Sequence, residues 1–196
     1  MERANADAAR PRCACGQQVT RRGALGGLAG WGLVCGITGA AAEPADERPQ
    51  VGDQLVAIDA AAPTALSPGD VSITPVLAWP MEPASNVVRS GSRLNKIVLV
   101  RLDPATLAAQ TQARAAGGVV AYSAICPHAG CEVNGWVAEQ RILECPCHNS
   151  RYDPGNAAAI VDGPTTRALA ALPLKIVEGK LAVAAAFVGR LGIAPT

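Results

Sequence analysis

Both histidines of the chain and four of its seven cysteines lie within the twenty-three residues from Cys126 to His148. They form two clusters, Cys126-Pro127-His128-Ala129-Gly130-Cys131 and Cys145-Pro146-Cys147-His148-Asn149-Ser150, with thirteen residues between them. Ordinary core or surface histidines do not segregate in this way. Pro127 and Pro146 fix φ and remove a backbone donor, so both clusters read as stiff loops rather than helix interiors. Residues two apart on an extended segment share a side, which puts Cys126 and His128 together. Cys145 and His148, three apart, turn inward together if their loop is tight. Any fold available to this chain has to bring the two loops to one place and support them there.

The rest of the sequence suits such a support. Short β-like runs recur at Gln54–Ile58, Val71–Ile73, Val76–Trp79, Lys96–Leu102, Val119–Ile125, Glu132–Val137, Arg141–Glu144, Leu174–Val177 and Lys180–Val183. Clusters of Gly, Pro, Ser and Asn separate them, the spacing of a small all-β sandwich or barrel. One helix is expected, capped by Asp103, opened by Pro104 and running from Ala105 to Ala116. Val177-Glu178-Gly179-Lys180 is a hairpin turn signal. With only six aromatic residues and a net charge of +1, the chain advertises neither a base-stacking platform nor a polybasic surface, so no nucleic acid partner is expected.

The first forty-two residues read as an address. Thr20-Arg21-Arg22 precedes the uncharged run Gly23–Ala42, which ends in Ala40-Ala41-Ala42. That is a positive region, an apolar region and a small-residue cleavage site in order, with the paired arginines of a twin-arginine export signal. Seven of the twenty residues from 23 to 42 are Gly, weak for a membrane span, so cleavage after Ala42 and retention as a membrane anchor both stay open. The destination is the bacterial periplasm, with residues 23–42 as the tether if kept. Cys13, Cys15 and Cys35 fall in this segment with no assigned role. Residues 43–50, with two prolines and no apolar periodicity, are expected to be a linker, and residues 51–196 the domain.

Two metal chemistries suit two Cys and two His. Structural zinc is one, although its usual pairing is Cys with Cys and His with His, whereas here each loop offers one of each. A binuclear iron–sulfur centre with Cys₂ on one iron and His₂ on the other fits the mixed pairing better. The two motifs, C-x-H-x-G-C and C-P-C-H-x-S-x-Y-D, closely resemble those of the Rieske iron–sulfur family, over about residues 96–184. The resemblance implies an all-β Rieske-type sandwich or barrel base with a small cluster-binding subdomain at about 123–166, after the N-terminal signal or anchor. It also implies one [2Fe-2S] cluster per chain. Carried over, Cys126 and Cys145 bind the inner iron, His128 and His148 the exposed iron, and Cys131–Cys147 is a disulfide. Ser150 and Tyr152 fall where high-potential members place hydroxyls aimed at sulfur. Such donors stabilise the reduced cluster and raise its potential within a family range of about −150 to +300 mV. His148, with His128 next, is the residue for electron and proton transfer at the exposed iron. Gly163-Pro164 resembles the loop that covers the cluster from a third side.

Within that family no histidine is left for the mononuclear iron of the oxygenases, and cytosolic ferredoxins usually lack both the export signal and the disulfide pair. Two functions follow. The preferred one is a periplasmic electron-transfer protein or small subunit of a periplasmic oxidoreductase, of an arsenite-oxidase-like or other dehydrogenase type. The alternative is the iron–sulfur subunit of a cytochrome bc-type quinol:cytochrome c oxidoreductase. Partners are a c-type cytochrome together with a catalytic or cytochrome b subunit. The preference rests on Pro127, Ala129 and Asn149, where quinol-oxidising members usually carry Thr, Leu and Gly. The missing leucine belongs to the apolar tip that docks on cytochrome b.

Overall fold

The computed structural model describes residues 43–193. The strands are β1 (Gln54–Ala57), β2 (Val76–Glu82), β3 (Val87–Val88), β4 (Ile97–Arg101), β5 (Val119–Ser123), β6 (Gly135–Val137), β7 (Ile142–Cys145), β8 (Ser150–Asp153), β9 (Ala159–Asp162), β10 (Leu174–Val177) and β11 (Lys180–Val183). A larger antiparallel sheet runs β10-β11-β1-β2-β4-β5, with β3 paired to β2, and a four-stranded sheet runs β6-β7-β8-β9. The fold is all-β, as the spacing of turns and apolar runs predicts.

Two neighbouring strands serve both halves. β4 is Ile-Val-Leu-Val-Arg and β5 is Val-Val-Ala-Tyr-Ser, and all nine residues of the two strands other than Arg101 are buried. Strand side chains alternate between faces, so a strand buried on both faces needs an unbroken apolar run. Ile97, Leu99, Val119 and Ala121 point into the larger sheet's core with Leu55, Leu172, Leu181 and Val183. Val98, Val100, Val120 and Tyr122 point the other way, against Leu143, Tyr152, Cys126 and Cys145. The same strands thus close the base and floor the cysteine–histidine loops. The larger sheet also curls back on itself, because Ser123 donates its N–H to Ala170 O at 2.8 Å and Leu172 donates to Ala121 O at 2.9 Å.

The hairpin turn forms as expected, with Val177 opposite Lys180 and both Glu178 (φ 51°) and Gly179 (φ 76°) left-handed. Four expectations need correction. Val71–Ile73 forms no strand: only Val71 is buried, and the Ser72 hydroxyl accepts from Thr74 N–H at 3.1 Å, a local turn just before Pro75. The helix from Ala105 to Ala116 breaks into a 3₁₀ turn, Pro104–Thr106, and one α-helical turn, α1 (Ala109–Gln112). Asp103 does cap the first turn, accepting from Ala105 N–H at 3.0 Å. The break comes at Leu107 and Ala108, which turn extended so that Leu107 is buried and Ala108 N–H donates to Gly155 O at 2.9 Å. Tertiary contact there outweighs helix propensity.

Strands β8 and β9 were not expected, nor was β3. β8 lies inside the second motif, and its buried–half-buried alternation over four residues is too short to stand out. β9 is half-buried at Ala159 and exposed from Ile160 to Asp162, so no apolar alternation marks it, although Pro154-Gly155-Asn156 signals the turn before it and left-handed Ala157 (φ 52°) and Ala158 (φ 51°) complete that turn.

Residues 43–50, expected to be a linker, are held against the domain instead. Buried Arg89 donates to Asp53 at 2.6 Å, to Glu47 at 2.7 Å and to Pro44 O at 3.1 Å. Buried Asn95 donates to Glu47 O at 2.6 Å and accepts from Arg48 at 2.9 Å. Burial of a guanidinium is tolerable here because its carboxylate partner, Asp53, is buried with it. The proposed signal or anchor, residues 1–42, lies outside the described residues. Among the described residues no helix is long and apolar enough to cross a membrane.

Candidate metal centre

Three loops meet at one end of the small sheet. The first follows β5 and is closed by Cys126 N–H donating to Cys131 O at 2.8 Å and Gly130 N–H donating to Cys126 O at 2.9 Å. Gly130 turns it with φ 73°. The second is the four-residue connection between Cys145, the last residue of β7, and Ser150, the first of β8, which pair directly. Asn149 makes its turn with φ 55°, and Asn tolerates that left-handed geometry better than most residues. The third loop comes off β9. A Cβ on Gly163 would sit 2.5 Å from Ser150 Cα and 2.7 Å from Asn149 O, so only glycine lets this loop lie against the second.

The eight residues singled out in the sequence converge here. Cys126 and Cys145 are free thiols, each 1% exposed, while His128 and His148 are both exposed. The imidazole rings meet edge to face with centroids 4.7 Å apart. Cys131 and Cys147 are joined by a disulfide between Cα atoms 6.4 Å apart, tying the first loop to the second. The sulfurs of Cys131, Cys145 and Cys147 lie within 4.8 Å of one another. That trio is not a three-thiolate site, because two of its members are spent on the disulfide. The donor arrangement is two sulfurs inside and two imidazoles outside.

Electrostatics distinguish the two thiols. Burial pushes the Cys126 thiol up, but the Tyr152 phenol and the His128 backbone N–H, with the Cys145 side chain, outweigh it and leave it below the ordinary thiol range. Cys145 is raised: burial and the neighbouring Cys126 outweigh the backbone N–H groups of Cys147 and His148. Tyr152 Oη lies 3.2 Å from Cys126 Sγ. Burial and the Cys126 sulfur both push the phenol's pKa up, so Tyr152 keeps its proton and is the donor. Ser150 Oγ is fully buried and, among the described residues, the one buried side-chain oxygen or nitrogen without a hydrogen-bond partner. An orphaned hydroxyl aimed among sulfur ligands is what a site built for a sulfide-bearing group would leave, and the soft thiolate pair with two imidazoles matches the same group.

Several contributors escaped the sequence reading. Thr165 is buried and acts on the Tyr152 phenol, lowering its pKa against the larger effect of burial. Tyr122 donates to Pro154 O at 2.7 Å, tying β5 to the end of β8. Arg93 donates to Gly130 O in the first loop. Of these, only Thr165 carried a signal, its place directly after Gly163-Pro164.

The site defines an electron carrier of the iron–sulfur class. Residues 84–173 match the Rieske [2Fe-2S] domain family, and the chain carries a Rieske domain whose cofactor is a [2Fe-2S] cluster. The chain is 45% identical over 76 residues to a putative respiratory nitrate reductase Rieske subunit of Haloferax mediterranei, covering 38% of this chain and 34% of that one. It is 40% identical over 77 residues to a cytochrome bc1 complex Rieske iron–sulfur subunit of Corynebacterium glutamicum, covering 39% of this chain and 19% of that one. The chain thus spans about a third of the first relative and about a fifth of the second. The soluble domain of Rieske protein II from Sulfolobus acidocaldarius, 22% identical, overlaps 52% of this chain and 68% of its own at a TM-score of 0.37, too loose for comparing sites.

Proposed function

We propose that this Rieske protein is an exported one-electron relay, the small subunit of a respiratory oxidoreductase of the arsenite-oxidase-like or other dehydrogenase type, with Cys126, Cys145, His128 and His148 as its metal ligands. The observation that carries this is the pair of buried thiols directly behind two exposed imidazoles whose rings are 4.7 Å apart. The cluster, when bound, supplies a reversible one-electron couple. Cys126 and Cys145 hold the inner iron away from water. His128 and His148, neutral ligands in place of thiolates, raise the potential and present the outer iron to a partner. Tyr152 and Ser150 direct O–H groups at sulfur, which favours the upper part of the family's range. The disulfide keeps the loops closed and suits an oxidising compartment, in keeping with periplasmic export by the twin-arginine segment within residues 1–42. The exported domain takes in residues 43–50, which pack on it, as well as the stretch from residue 51 onward, with its cluster-binding part at about 123–166.

The second reading is the iron–sulfur subunit of a cytochrome bc-type quinol:cytochrome c oxidoreductase, favoured by the relative from Corynebacterium glutamicum. Against it stands the exposed tip residue Ala129, which offers one methyl where quinol-oxidising members usually present leucine. Asn149 no longer separates the readings, since its left-handed backbone explains the residue. Membranes from a deletion strain distinguish them. Unchanged quinol:cytochrome c activity, with the Rieske EPR signal co-purifying with another oxidoreductase, is expected. Loss of that activity overturns the preferred reading in favour of the second.

A further inference from the structure

We propose that the flank of the histidine face carrying Arg93, Arg167 and Arg190 is a docking surface for an acidic region of the redox partner; this deepens the relay reading and rests on it. Residues 43–193 hold twelve basic and fourteen acidic side chains, a net charge of −2, so the domain as a whole repels an acidic partner. The charge is not evenly spread. Near the loops, Lys96 is neutralised by Glu132, and Arg151 by Glu144 at 2.7 Å with Asp162 at 3.9 Å. Arg93, Arg167 and Arg190 have no carboxylate within salt-bridge distance among the described residues.

These three arginines belong to one flank. Arg93 donates to Gly130 O, two residues from His128 in the first loop. Arg167, just beyond the third loop, donates to Gly192 O and to Arg190 O at 3.4 Å. Gly192 in turn lies against Leu94, with the position of a Cβ 3.0 Å from Leu94 Cδ2, and Ile193 lies against Gly130. The C-terminal stretch is laced between the first loop and the third, and it carries exposed Arg190 beside them. Backbone carbonyls orient Arg93 and Arg167 but do not cancel their charge. The result is a positive rim beside an exposed centre of His128, Ala129, His148 and Pro164. A small uncharged centre with a charged rim suits a transient complex, in which charge sets encounter and orientation while the centre brings the redox groups close.

The test uses the reduced holoprotein in stopped flow, oxidised either by hexacyanoferrate(III), an anion, or by tris(phenanthroline)cobalt(III), a cation. A change in midpoint potential moves both rates in the same sense, so the anion-to-cation rate ratio isolates charge. The ratio is expected to fall roughly tenfold at low salt in Arg93→Gln/Arg190→Gln, to be retained in Arg93→Lys/Arg190→Lys, and to lose its dependence on the substitution at high salt. Polyglutamate should slow the hexacyanoferrate reaction of the unaltered protein and not that of the Gln variant. An unchanged ratio, or inhibition by polylysine in place of polyglutamate, overturns the docking surface. A preparation without the Rieske EPR signal overturns the relay reading itself, so the two failures are told apart.

Discussion

The phenolic oxygen of Tyr152 sits 3.2 Å from the sulfur of Cys126, both buried, with the phenol's pKa raised and the thiol's lowered. Both shifts assign the proton to oxygen. The contact spans β8 and the first loop, so a residue of one motif sets the electronic environment of a buried thiol in the other.

Tyr152→Phe removes that donor without emptying the space the ring fills. A charge-assisted hydrogen bond of ~1.5 kcal/mol corresponds to about 60 mV for a one-electron couple. The midpoint potential should therefore fall by roughly 60 mV with iron content unchanged. Protein-film voltammetry on both proteins reads the difference; equal potentials would remove Tyr152 from the tuning of the site.

Ser150→Ala should act in opposite directions in the two forms of the protein. In the apoprotein the buried hydroxyl has no partner, so its removal should stabilise by about 1 kcal/mol in denaturant unfolding. In the holoprotein the same change should lower the potential, because the hydroxyl then has sulfur to bond. A destabilised apoprotein would mean that Ser150 already has a partner.

What the sequence made legible was chemistry carried by residue type. Cys126, His128, Cys145 and His148 were recognisable because so few residue types serve as soft ligands, and the Cys131–Cys147 pair followed from the family resemblance. The strands β4 and β5 were legible because a wall buried on both faces must be apolar throughout. Illegible were features that rest on three-dimensional neighbours. The helix break needs Gly155 as the partner of Ala108, and the docking of residues 43–50 needs Arg89 and Asn95, some forty residues on. Strand β9, exposed over most of its length, is placed by its pairing with β8 rather than by any apolar pattern of its own.

Gly163→Ala should cost about 2 kcal/mol and weaken cluster retention, since a methyl would meet Ser150 Cα at 2.5 Å on a left-handed backbone. Gly179→Ala is the matched control: its φ is also positive, 76°, but nothing lies within 4 Å. It should cost only about 1 kcal/mol. Denaturant unfolding compares them, and equal losses would show that the third loop does not press on the second.

Removing the disulfide as Cys131→Ser/Cys147→Ser opens a clamp between residues 16 apart in sequence. Loop-closure entropy puts the loss of stability at about 3 kcal/mol. Thiol reductant should bring the unaltered protein down by the same amount and leave the variant unmoved. A reductant-insensitive protein would indicate that the clamp does not close in solution.

In the proposed centre His128 and His148 both ligate one iron while Cys126 and Cys145 ligate the other. Electron–nuclear double resonance on the reduced protein with ¹⁵N-labelled histidine tests it most directly. Two histidine nitrogen couplings are predicted in the unaltered protein, each lost separately in His128→Ser and His148→Ser if the centre survives, and with loss of the Rieske EPR signal if it does not. An iron–sulfur signal without histidine nitrogen coupling, or one that persists unchanged in either variant, would contradict it.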